Sequence, residues 1–284
     1  MQNQSVFECK KEKERLKVQN RLLSAYEEPV FARIFENKAN ISILDIGCND
    51  GKKTAARFAA EEVTKVIGIE YNENLAQSAQ KKYGGDKFSF CSMDVEEEAF
   101  ADKLEKLMQE RDIESFDVIY LSFVLMHLKN PKKLLEKLQK FLSKEGQVVI
   151  IEADDRASVL KPDREDLLKE FLKMLEQDKY AGNRLLGNRL LELVIDSGFG
   201  QCIVWHEGIE AGRKEKEKKK DIFQMFFSYF PEDVELLLKA EPDNEQYQSW
   251  SAWLQDNYQK LEEQITDEES EILMGIKILS CMRG

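Results

Sequence analysis

An α/β fold built on a mostly parallel sheet, with helices on both faces, is what this sequence predicts. Three observations point there. Between residues 41 and 153, apolar runs of strand length alternate with stretches of helical spacing, the pattern of repeated strand–helix–strand units. The first run, "ISILDIG", passes into a glycine-bearing turn and then the helix-like "GKKTAARFAAEE". The chain has 284 residues, 42% hydrophobic and 34% charged, so it can fill a sizeable core and keep a well-solvated surface.

The elements follow in order. Residues 8–37 are polar and charged, with Leu16, Leu22, Leu23, Val30, Phe31, Ile34 and Phe35 at helical spacing, which predicts one or two helices ahead of the sheet. "KVIGIEYN" is the second strand. "NENLAQSAQKKYGG" has a helix start at Asn72 or Asn74 and a glycine stop. "DKFSFCSMD" is a third strand, "FADKLEKLMQERD" a helix, and "FDVIYLSFVLMHL" a fourth, buried strand that runs into a loop. In "NPKKLLEKLQKFLSKEG", Pro131 falls in the first turn, the leucines and Phe141 form one face, and Gly146 ends the helix. "QVVIIEA" is the fifth strand. Beyond Ala153 two helices, a strand at 201–210 and a mostly helical block precede a last apolar strand, "EILMGIKILSCMRG". The domain reading is a helical lid over 1–40, a core over 41–212, a helical insertion or cap over 213–271, and the final strand of the core sheet over 272–284.

Composition narrows the function. A formal net charge of −12 argues against a DNA- or RNA-binding enzyme, which would carry a basic face. The lysine run at 214–220 reads as a solvated helix face or loop. Five cysteines without a CxxC pair argue against zinc and against a disulfide framework, and two histidines argue against a His-rich metal site. No signal-like stretch opens the sequence, and no run of about 18 apolar residues exists. The expectation is a cytoplasmic, reduced, soluble protein with no metal, membrane or nucleic-acid partner.

The turn after the first strand decides between cofactor classes. In such a sheet it lies at the carboxyl ends of the strands, where ligands bind. A dinucleotide loop wants G-x-G-x-x-G, so that a pyrophosphate can approach the helix N-terminus. Here Asn49 and Lys52 break that pattern. What stands is "DIGCNDG", with Asp45 beside the loop, a charge that suits a ligand with a cationic group better than one with phosphates. A tight loop with a left-handed residue at its centre takes glycine freely, and asparagine is the usual exception.

"DIGCNDG" resembles the first motif of the class I S-adenosylmethionine-dependent methyltransferases, D/E-x-G-x-G-x-G, with Asn49 in place of the middle glycine. The resemblance covers roughly residues 40–153, with weaker support to 210. It implies a Rossmann-like sheet with an antiparallel C-terminal strand, S-adenosyl-L-methionine as cofactor and S-adenosyl-L-homocysteine as product. It also implies site residues. The loop backbone of Gly47, Cys48, Asn49 and Gly51 wraps the methionine part, with Asp45 near its amino group. Glu70, which ends the second strand 23 residues after Gly47, takes both ribose hydroxyls, and Tyr71 packs on the adenosine. Asp94 accepts from the adenine amine, with the Val95 backbone adding a bond; the competing reading of Asp94 is a helix cap. Ser122 and Phe123 floor the site beside the sulfonium.

Methyl transfer requires mainly alignment of the acceptor, about 3–3.5 Å from the methyl carbon, and exclusion of water. A base helps only when the nucleophile is protonated. His127 is the candidate base and acceptor contact, against a packing or capping role. Glu152, Asp154 and Asp155 form a carboxylate cluster for a cationic acceptor, or a solvated loop. By the same resemblance, Arg21 meets the cofactor carboxylate and Tyr26 lines the acceptor pocket, unless their helix is an ordinary packing helix. Aromatics in the insertion, among them Phe223, Phe227, Phe230, Trp250 and Trp253, read as the core of a cap or as a homodimer interface. The function expected is methyl transfer to a small-molecule acceptor. The alternatives are a non-catalytic cofactor-binding or regulatory protein, a methyltransferase of a protein substrate, or another reaction on the same cofactor.

Overall fold

The computed structural model describes residues 10–284, so the first nine residues of the expected lid lie outside the described residues. The chain divides into two compact units. One holds Pro29–Ala153, Leu186–His206 and Lys277–Gly284; the other holds the described residues up to Glu28, Asp154–Leu185 and Glu207–Ile276. The stretch 154–185, grouped with the core in the sequence reading, therefore belongs with the helical insertion.

The first unit carries the sheet. Its strands are β1 (Ile41–Ile46), β2 (Val63–Glu70), β3 (Phe88–Ser92), β4 (Phe116–Ser122) and β5 (Leu142–Ala153), with parts of β7 (Phe199–Ala211) and β8 (Glu271–Arg283). The order is β3-β2-β1-β4-β5-β8, with β7 also on β8. β1 pairs in parallel with β2 and β4, β2 with β3, and β4 with β5. Helices α2 (Lys52–Arg57), α3 (Glu73–Tyr83), α4 (Phe100–Glu110), α5 (Pro131–Leu138) and α7 (Leu186–Asp196) connect these strands, and α1 (Lys10–Phe35) enters the unit at Pro29.

The strands are apolar on both faces because both faces are covered. Leu44, Ile46, Ile67, Ile69, Ile119, Leu121, Val148 and Ile150 point to one side and pack with Phe100, Leu104, Leu135, Leu138, Leu190 and Val194. The opposite side carries Phe31, Phe58 and Tyr120, whose rings meet edge to face with centroids 5.3–5.9 Å apart. Each fully buried aliphatic side chain contributes roughly 1.5–3 kcal/mol.

Two corrections arise here. The helix expected to run to Gly146 ends at Leu138, and after one tight turn β5 begins at Leu142. Leu142 pairs with Phe116, and Gly146 lies inside the strand, where a Cβ would stand 2.8 Å from the Phe116 carbonyl oxygen. The cysteines expected to stay reduced are the second: Cys202 and Cys281 form a disulfide between β7 and β8, with Cα atoms 4.1 Å apart. Adjacent strands bring together residues 79 positions apart in sequence. Cys48 and Cys91 are free.

The second unit is mainly helical: α6 (Leu167–Gln177), α8 (Lys216–Phe227), α9 (Phe230–Ala240) and α10 (Glu245–Thr266), with the short β6 (Val159–Lys161) antiparallel to Glu271–Leu273. Its core is aromatic. Phe171 lies 5.0 Å from Phe227 and 5.1 Å from Phe230, and Phe223 lies 5.2 Å from Tyr258. A polar cluster is buried in the same unit. The Arg184 guanidinium donates twice to Asp155, at 2.8 Å and 2.8 Å. Burial and the neighbouring Asp178 push Asp233 up to about 8, and burial lifts the Tyr229 hydroxyl to about 12. No described helix is long and apolar enough to cross a membrane.

Candidate functional site

The order of strands reverses at β1, which has β2 on one side and β4 on the other. A crevice at the carboxyl ends of such strands is where open α/β sheets bind ligands. The loop Gly47–Gly51 sits at that point. Gly47 and Gly51 have φ of 78° and 72°, values glycine adopts without penalty. Close packing reinforces the requirement: a Cβ on Gly47 would stand 2.5 Å from Cγ2 of Val124.

Asn49 also takes the left-handed conformation, with φ 50°. Its Oδ1 accepts from the Asp50 amide at 2.7 Å, a local bond that supports this backbone. The side chain thus has a conformational task. Accordingly, Asn49→Gly is expected to leave cofactor affinity within about threefold, whereas Asn49→Ala, which must hold a left-handed residue at a cost of ~1–2 kcal/mol, weakens it about fivefold or more. Calorimetric titration of both variants checks this; Asn49→Gly as weak as Asn49→Ala would point instead to a direct side-chain contact.

Glu70 organises the loop. Its Oε2 accepts from the Asn49 amide at 2.9 Å and its Oε1 from the Asn72 amide at 3.0 Å. A carboxylate offers about four lone-pair positions, so two remain for further donors. Asn72 in turn caps α3 by accepting from Leu75. Asp45 is buried and accepts from Thr54 Oγ1 at 2.5 Å, tying the end of β1 to α2. Tyr71 stands 75% exposed beside Glu70, an unusual position for a ring without a partner surface. Asp94 accepts from the Glu96 amide at 2.9 Å, so it shapes the turn after β3, and Val95 packs against the core. The donor set fits an adenosyl group: acceptor-only carboxylates stand at the ends of β2 and β3, where hydroxyl and amine donors need partners.

At the end of β4, Ser122 Oγ accepts from Lys53 Nζ at 3.3 Å. Phe123 follows with φ 55°, and its amide bonds the Ile151 carbonyl at 2.8 Å. His127 ends the next turn on the exposed surface. Glu152 is completely buried, and its Oε1 accepts from the amides of Val124 and Leu125 at 3.1 and 2.7 Å. It is therefore not a solvated acid, and its carboxylate is directed at backbone.

The remaining expected site residues lie in the helical unit. Arg21, assigned by resemblance to a cofactor carboxylate, instead pairs with Asp221, at 2.5 Å. Tyr26 has Lys218 Nζ 5.9 Å from its ring centroid. Asp154 is buried, its amide bonded to the Gly275 carbonyl, and Asp155 is held by Arg184. Among the described residues no cluster of His, Cys, Asp and Glu could hold a metal. Sequence reading missed Thr54, Lys53 and Val124; each is an ordinary helix or loop residue whose role appears only when the strands are paired.

A family model described as "Methyltransferase domain" matches residues 18–190. No curated protein matches the chain. Among solved structures, the [4+2]-cyclase SpnF is similar with a TM-score of 0.52 and 16% identity, over 93% of this chain and 80% of that one. The YcgJ protein of Bacillus subtilis is similar with a TM-score of 0.51 and 16% identity, over 90% of this chain and 97% of that one. Likeness at such identity concerns the fold.

Proposed function

Since the chain belongs to the class I S-adenosylmethionine-dependent methyltransferases, through the methyltransferase domain matched over residues 18–190, we propose that it methylates a small-molecule acceptor. The observation that carries the reading is Glu70, anchored on both oxygens by loop amides yet with acceptor capacity to spare, beside the left-handed Gly47–Gly51 turn. Glu70 would accept from the ribose hydroxyls, Asp94 and the Val95 backbone would serve the adenine, and Tyr71 would cover the adenosine. Asp45, Cys48 and the loop backbone would hold the methionine end, with Ser122 and Phe123 beneath it. S-adenosylmethionine, when bound, supplies a methyl group already activated by its sulfonium.

The chain's own work is then to orient the acceptor and exclude water, which is where most of the rate gain of such a reaction lies. His127, on the exposed turn after β4, is the candidate to hold or remove an acceptor proton. Calorimetry with S-adenosylmethionine and, in parallel, NAD tests the cofactor. Micromolar binding of the first and none of the second is expected, and the reverse refutes the reading. Labelled methyl transfer over a panel of small amines, alcohols and thiols then separates a catalyst from a protein that only binds the cofactor.

A further inference from the structure

The Glu152 carboxyl at the end of β5 is unusual for what it holds. It is 0% exposed, its Oε1 accepts from two successive amides, Val124 at 3.1 Å and Leu125 at 2.7 Å, and its Oε2 has no hydrogen-bond partner. Those amides belong to a turn that begins at Phe123 in the left-handed region. A non-glycine residue there is strained and persists only where its surroundings hold it. Val124 also presses on the glycine loop, since its Cγ2 fills the space a Cβ on Gly47 would need. The connection runs from carboxyl to turn, from turn to Val124, and from Val124 to Gly47.

We infer that Glu152 is a positioning residue for the cofactor loop, holding the Phe123–Leu125 turn in the conformation that packs on Gly47. This rests on the methyltransferase reading of that loop. The role has a signature beyond stability. Burial raises the Glu152 carboxyl to about 8, against the opposing pull of the Leu125, Val124 and Met126 amides. The ionisable groups on the elements that flank β5 are Asp117 and Tyr120 on β4, His127 on the turn after it, and Glu271, Lys277 and Arg283 on β8, with Lys53 reaching β4 through Ser122. A closed turn therefore binds a proton that an open, hydrated carboxylate would release. Linkage then makes the closed turn strongest at low pH and weaker as pH rises from the ordinary carboxyl range towards 8.

Calorimetric titration with S-adenosylhomocysteine at about pH 6 and about pH 8.5, on either side of the working range, tests this in four proteins. The ligand's own ammonium titrates equally in all of them, so ratios to wild type isolate the protein. Glu152→Ala, which leaves two buried amides without an acceptor, should bind about tenfold more weakly or worse at both pH values. Glu152→Gln keeps the accepting oxygen and is always neutral, so it should bind like wild type at the lower pH and at least as well at the higher. Val124→Ala should weaken binding severalfold without altering its pH dependence. Glu152→Ala within about twofold of wild type, or Glu152→Gln tracking the wild-type pH response, overturns the inference. Wild-type protein that binds no S-adenosylhomocysteine at either pH overturns the methyltransferase reading, and this role with it.

Discussion

Glu70→Ala is expected to weaken S-adenosylmethionine binding by about 100-fold or more. A charge-assisted hydrogen bond to a carboxylate contributes about 1.5–3 kcal/mol, and the cofactor's two ribose hydroxyls would offer two of them. A loss of ~2.7 kcal/mol already corresponds to about 100-fold in dissociation constant. The variant also removes the acceptor for the Asn49 and Asn72 amides, at 2.9 and 3.0 Å, so the loop loses its anchor at the end of β2. Glu70→Gln separates these contributions. Its amide keeps one accepting oxygen and turns the other position into a donor facing an amide, so it should fall between wild type and alanine. Affinity of Glu70→Ala within about threefold of wild type, with unchanged circular dichroism, would exclude a ribose role.

The same carboxylate shows why part of the site was legible in the sequence. Strand β2 ends where an apolar run meets its first acid, and the sheet's parallel order places that end beside the loop after β1. Local pattern and topology agree there, so the glycine turn and the strand end at Glu70 could be placed from the sequence, while the roles given to Glu70 and Asp94 came from the family resemblance. Asn49 was legible for the same reason: the preference of asparagine for left-handed backbone is a property of one residue, and its φ is 50°.

Where the outcome depends on residues far apart in sequence, spacing carried no information. The helical pattern of "KLQKFLSKEG" runs on past Leu138, yet pairing of Leu142 with Phe116 converts its end into strand. The three residues of β6 are too few to show any period. The Cys202–Cys281 pair depends on strands joined only in the folded sheet. Arg21 meets Asp221, 200 positions away, and no motif announces that. Glu152 was recognisable as an acid after a strand, but its burial, and so its direction towards backbone amides, is set by the β4–β5 pairing and the turn after β4. Nor does a net charge of −12 announce the buried Arg184, which Asp155 holds in place.

That arginine carries the largest stability effect expected in the molecule. Arg184 and Asp155 are 7% and 4% exposed, and the guanidinium makes two parallel bonds of 2.8 Å to the carboxylate. Burial opposes the charge on Arg184, and Asp155, with Tyr229 and Asp178 nearby, more than offsets it, leaving the guanidinium harder to deprotonate than usual. Deleting one partner of such a pair strands the other charge in a low-dielectric interior, at a cost of about 3–5 kcal/mol. That is a large fraction of the 5–15 kcal/mol that roughly bounds domain stability. Arg184→Ala should therefore lower the urea midpoint sharply, and Asp155→Ala should do the same. The double variant Asp155→Leu with Arg184→Met removes both charges while retaining side-chain volume, and it should recover most of the loss, because the desolvation cost disappears with the charges. Trp250 and Trp253 lie in the same helical unit as the pair and Trp205 in the other, so versions retaining one tryptophan apiece report which unit unfolds early. Single variants as stable as wild type would mean that water reaches the pair. A double variant as unstable as the singles would mean that the hydrogen-bond geometry, rather than the stranded charge, holds this part of the chain together.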